Sequence, residues 1–181
     1  YVSFNQGNSW EAFSKNLPNV AVHDLVIQPT AKHLIVGTHG RSLYKADVAS
    51  LQKMTKKVLG KATHIFDVST IRKSRNWGRS WSQWRTANEP EVVIPFYVNA
   101  NRKTTADIYF GDIKVNSISL DASKGYNEAK FNVSFSKKGK KAFEKANKKT
   151  KLIKAQNDTY YLPKGKYTVK IGDSEGKFAI K

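Results

Sequence analysis

Hydrolysis by a carboxylate pair needs two acids held about 5–10 Å apart across the scissile bond. The few acids, such as Asp24, Asp107, Asp112 and Glu128, follow no spacing that singles out two of them. His23, His33, His39 and His64 are scattered, whereas a zinc site needs convergent ligands. The sequence has no cysteine, which removes disulfides, thiolate metal sites and cysteine nucleophiles together. It also has no Gly-rich phosphate loop and no Ser-His-Asp signature. The expectation is a chain without a catalytic residue, a metal or a cofactor of its own.

Binding chemistry is better represented. Residues 72–85 interleave Arg72, Arg75, Arg79 and Arg85 with Trp77, Trp81 and Trp84. Such a run can stack on sugars or bases while it neutralises acidic groups. The spacing would put the three tryptophans on one face of a helix. The commoner role of an indole ring is to anchor packing, here by clamping a linker onto its neighbours. A second basic segment, residues 137–154, is rich in lysine and contains Glu144 as its acid. Lysine supplies attraction without base or sugar specificity. No RNP, zinc-finger or helix-turn-helix pattern accompanies it, so nucleic acid is not an expected partner. The net charge of +18 favours anionic partners and is silent about fold.

These segments need elements to hold them, and the chain of 181 residues is long enough for a real core. Residues 1–48 read as short strands divided by Gly, Pro and Asn: Val20–Ile27, His33–Thr38 and Ser42–Ala46. Val48, Leu51, Met54 and Val58 then recur at helical spacing, predicting a short helix from Asp47 to about Gly60. A strand is expected over Thr63–Val68. Beyond residue 90 the candidates are Val92–Val98, Thr105–Phe110, Lys114–Ser119, Glu128–Phe135, Thr159–Leu162, Tyr167–Ile171 and Gly176–Ile180. About seven strands in that length suit an immunoglobulin-like sandwich. A helix around Lys140–Lys148 interrupts them. No apolar run approaches the ~18 residues of a membrane helix.

The sharpest local pattern is Ser3-Phe4-Asn5-Gln6-Gly7-Asn8-Ser9-Trp10. The Asn5 side chain can accept backbone amides of a turn, Gly7 can take positive φ, and Trp10 can cover the hairpin. The pattern fills every specified position of the Asp-box, Ser/Thr-x-Asp/Asn-x-Gly-x-Ser/Thr-Trp, and so resembles the hairpin motif of sialidase-like and sortilin-like β-propellers. Asn16-Leu17-Pro18, Val22-His23-Asp24-Leu25 and Gly37-Thr38-His39-Gly40-Arg41 are similar to the closing run of sortilin-like, BNR-repeat propellers. Pro163-Lys164-Gly165-Lys166-Tyr167 resembles that family's terminal "PGTY".

The resemblance implies an all-β chain in three parts. Residues 1–48 would be the last strands of an incomplete propeller, 49–90 a linker, and 91–181 an immunoglobulin-like sandwich with the basic insertion at 137–154. Ser3, Asn5, Gly7, Ser9 and Trp10 would be structural. His23, Asp24, His39 and Arg41 would lie near the propeller's channel entrance, where Arg41 can hold a carboxylate in bidentate fashion. Trp77, Trp81, Trp84 and Arg79 are the candidate contacts to a glycan or anion. The chain is then expected to be the C-terminal interaction region of an exported bacterial protein, secreted, periplasmic or at the cell surface. Its partners would be the rest of the propeller and a protein or anionic glycan. The alternative is the C-terminal piece of a BNR-repeat glycoside hydrolase whose acids lie in further blades.

Overall fold

The computed structural model describes residues 1–11, 13, 17–82 and 84–181. It is mostly β, with three antiparallel sheets. The chain divides into two compact units, Tyr1–Gly60 and Lys61–Lys181. The division falls within the segment expected to link two domains.

In the first unit, β1 (Val22–Gln28), β2 (His33–Thr38) and β3 (Leu43–Asp47) form a three-stranded meander in that order. The β-branched residues Val22, Val26, Ile27, Ile35 and Val36 favour extended backbone in β1 and β2, and tight turns set the register. Gln28 pairs with His33 across residues 29–32, where the Ala31 amide donates to the Gln28 side chain. Thr38 Oγ1 donates to the Ser42 carbonyl at 2.6 Å and closes the second turn. The predicted helix after β3 is broken in two: a 3₁₀ turn at Leu51–Lys53 and α1 (Lys56–Leu59). Thr55 causes the break. It stands extended and its hydroxyl caps the Val58 amide at 3.4 Å, a bond that competes with continuing the helix. The helical spacing was still informative about burial, because Val48, Leu51, Met54 and Val58 are all buried.

The second unit contains β4 (Thr63–Ile65), β5 (Val92–Val98), β6 (Arg102–Phe110), β7 (Ile113–Ala122), β8 (Gly125–Phe131), α2 (Lys137–Ala146), β9 (Gly165–Ile171) and β10 (Ser174–Ile180). One sheet has the order β10-β9-β6-β7 and the other β4-β5-β8. Inward residues of both sheets belong to one core, among them Ile94, Phe96, Ile108, Phe131, Tyr167, Val169 and Phe178. Alternation along the strands produces it: β8 and β9 bury every second side chain. Pro95 is tolerated inside β5 because β4 ends opposite Phe96; the Pro95 carbonyl then accepts from Phe66, and no donor is needed there. The candidate strand Thr159–Leu162 is reduced to a bridge between Ser134 and Tyr161.

The basic insertion folds onto this unit. Ser136 caps α2, its hydroxyl accepting from the Gly139 amide at 3.0 Å. A Cβ on Gly139 would stand 1.9 Å from the Val115 carbonyl oxygen, so only glycine lets the helix approach the β7 backbone. Phe143 is buried between Phe110 and Phe135, with ring centroids at 5.4 and 5.1 Å.

Candidate functional site

Three of the four acids, Asp24, Asp107 and Glu128, are occupied in local structure, and Asp112 is exposed in the turn after β6. Asp107 accepts from Lys114 at 2.6 Å and from Ser117 at 2.5 Å. Partial burial pushes its carboxyl up, but hydrogen bonds from Lys114, Ser117 and Thr105, with the lysine charge, outweigh this and hold it below its ordinary value. That is the opposite of what a general acid requires. Glu128 accepts from the Tyr126 hydroxyl at 2.8 Å, and Asp24 accepts from the Leu25 amide. No group of three potential metal ligands occurs among the described residues.

The Ser3–Trp10 turn has the geometry its residues suggest. Asn5 Oδ1 accepts from the Ser9 amide at 2.9 Å and from the Ser3 hydroxyl at 3.1 Å. The Ser3 hydroxyl in turn accepts from the Gly7 amide at 2.8 Å, with Gly7 at φ +90°. Trp10 Nε1 donates to the Gly7 carbonyl, so the indole does fold back on the turn. The ring is 62% exposed, however, and is not seated in a core within this chain.

Two of the four channel-entrance candidates are brought together. Val22 pairs with Thr38 and Asp24 with Gly37, which leaves His23 as the extra residue of a β-bulge. The bulge turns its ring onto His39, where the two imidazoles stack at 5.1 Å. Asp24 lies beside them on β1, and Arg41 stands exposed in the turn before β3. No ion pair joins Arg41 to Asp24 among the described residues.

The Arg/Trp segment separates into a buried anchor and an exposed tip. Its three tryptophans do not share a helix face, because residues 75–78 form a turn and no helix follows among the described residues of the segment. Trp77 is buried and meets Tyr161 edge to face at 5.7 Å, which makes it a packing anchor. Gly78 has φ +72°, and a Cβ there would lie 2.4 Å from Asn157 Oδ1. Its carbonyl accepts from the Asn157 amide at 3.1 Å, and its amide donates to the Asn88 carbonyl at 2.8 Å. The Asn88 amide donates to the Arg79 carbonyl, closing the loop's base. Beyond that base, Trp81 is 84% and Trp84 87% exposed. Arg79 and Arg85 flank them, also exposed. Sequence reasoning missed Gly78 and Asn157 as the residues that fix this loop, since their contact spans a separation visible only after folding.

The lysines of α2 and its flank are mostly solvated. Lys140 pairs with Glu144 at 2.8 Å and lies over the Tyr160 ring at 4.3 Å, and Lys154 pairs with Asp158 at 2.5 Å. Hydrogen bonds donated to these carboxylates hold both ammonium groups above their ordinary range.

No family model, curated protein or solved structure matches this chain.

Proposed function

We propose that the first unit supplies closing strands of a β-propeller and that the second is a non-catalytic interaction domain appended to it. The observation that carries the first half is β1. All seven of its residues are exposed, including Leu25 and Ile27 on one face and Val26 on the other. Among the described residues its outer edge pairs with no strand. Strands covered on one face normally alternate apolar and polar, whereas strands covered on both read as continuous apolar runs. Leu25-Val26-Ile27 is such a run, suited to an inner blade strand packed between neighbouring blades. The Asp-box turn and the exposed Trp10 fit the same reading, as parts that a neighbouring sheet would cover.

For the second half, the support is a pair of sheets sharing one core and the Tyr167 hydroxyl donating to the Pro163 carbonyl at 2.7 Å. A tyrosine that reaches back to upstream backbone in this way is a feature of immunoglobulin-like sandwiches. Its exported location and its protein or glycan partner follow from the propeller reading and are proposed with it.

Hydrogen exchange over Val22–Gln28 tests the proposal. The 181-residue chain should exchange there rapidly, while the protein isolated from its own cells should be protected by further blades of the same polypeptide. Equal exchange in both, or protection supplied by a separate chain, would overturn it.

A further inference from the structure

Two large apolar rings stand fully in solvent at Trp81 and Trp84, three residues apart, on a loop whose base is fixed by Trp77, Gly78 and Asn88. Single exposed apolar side chains need no explanation, but two almost fully exposed indoles three residues apart call for one. Neither ring contributes to the core, which Trp77 alone joins. Indole is amphipathic, with an apolar body and one N–H donor, and it concentrates at the boundary between lipid headgroups and acyl chains.

The charge around the rings narrows the partner. Between Asp67 and Glu89 the sequence has no acid. Arg72, Arg75, Arg79 and Arg85 are all exposed, and none is ion-paired among the described residues. Guanidinium groups match phosphate in a bidentate fork. Ligand pockets for small glycans are concave and carry placed polar groups. Here the described residues from Arg79 to Thr86 are all exposed, and none of them is acidic.

We infer that this loop is a peripheral membrane anchor, in which Trp81 and Trp84 enter the interface of an anionic bilayer while Arg72, Arg75, Arg79 and Arg85 meet the lipid phosphates. The chain does not cross the membrane; it lies on it, and the net charge of +18 draws it there. The inference stands on the second unit alone. The β1 exchange experiment and the lipid experiment can each fail without the other.

Cosedimentation with phosphatidylcholine vesicles, with and without about 30% phosphatidylserine, tests it. Binding should require the anionic lipid and weaken as salt shortens the screening length from ~10 Å at 0.1 M. The double variant Trp81→Ala/Trp84→Ala should lose at least about tenfold in affinity while keeping the thermal midpoint of the parent. Arg79→Gln/Arg85→Gln should lose on the order of tenfold and flatten the salt dependence. In a Trp10→Phe background, brominated lipids should quench fluorescence that disappears with the tip tryptophans and leave the buried Trp77 signal in place. The α2 lysines provide the counter-test. If Lys137→Gln/Lys138→Gln/Lys141→Gln/Lys145→Gln abolishes binding and the tryptophan variant does not, the inference is wrong. Retention on heparin or an oligothymidine column that depends on Trp81 and Trp84, without vesicle binding, would also overturn it in favour of a polyanion site.

Discussion

Tyr167 buries its ring against Phe178, with centroids 5.3 Å apart, and leaves one polar atom to satisfy inside the core. Burial pushes its phenol well above the ordinary tyrosine range, so at neutral pH the hydroxyl remains a donor to Pro163. Tyr167→Phe removes that donor and leaves the carbonyl short of a partner; we expect a loss of about 1–2 kcal/mol in a urea titration, with an unchanged slope. Asp107 gives a pH-dependent case. Its pKa is depressed in the fold, so its contribution is present above the unfolded value of 3.8 and is lost as pH falls through the lower folded value. Burial, then Lys61, lowers the pKa of His64 as well, so protonation of that ring also opposes the fold on the acid side. The Asp107→Asn variant should therefore show a shallower fall in stability below about pH 4 than the parent. Denaturant midpoints across that range would check it, and parallel curves would show that the Lys114 pair is inconsequential.

At the scale of elements, α2 shows how a basic insertion is held to a sheet. Its inward face is small and apolar, with Gly139 over β7 and Phe143 between two other phenylalanines. Gly139→Ala would drive a methyl group into the Val115 carbonyl, a backbone group that cannot rotate away. The expected cost is about 1–3 kcal/mol, seen in thermal unfolding together with faster amide exchange in α2. If the helix instead shifts freely at no cost, the tight approach is not a constraint. The strands β6, β7, β9 and β10 were legible in the sequence because alternate burial is a local signal, and β5 was legible as a short continuous apolar run. The helix expected from Asp47 to Gly60 was not, since the Thr55 side-chain cap overrides a periodicity that burial alone maintains.

At the scale of the molecule, the two units differ in what they bury. The second has a core drawn from two sheets and α2, while the first leaves an entire strand in solvent. Trypsin should accordingly cut first between Lys53 and Lys61 or within the first unit, leaving a resistant fragment that begins near Lys61. Mass spectrometry of a timed digest checks this, and simultaneous degradation of both units would contradict it. The same contrast governs where partners are sought: extended apolar surface on the first unit, an aromatic and cationic loop on the second.

The sequence by itself determined the strand-rich character, the Asn5–Ser9 turn and the lack of a cysteine-based site, because these rest on residue type and near-neighbour spacing. Tertiary structure decided the rest. Three tryptophans of similar local context were divided into one core anchor and two exposed rings by Gly78 meeting Asn157, a contact between segments far apart in the chain. His23 and His39 became a stacked pair only because a bulge in β1 displaced one ring onto the other. Such outcomes depend on which long-range pairings fill the core, and no local pattern encodes that choice.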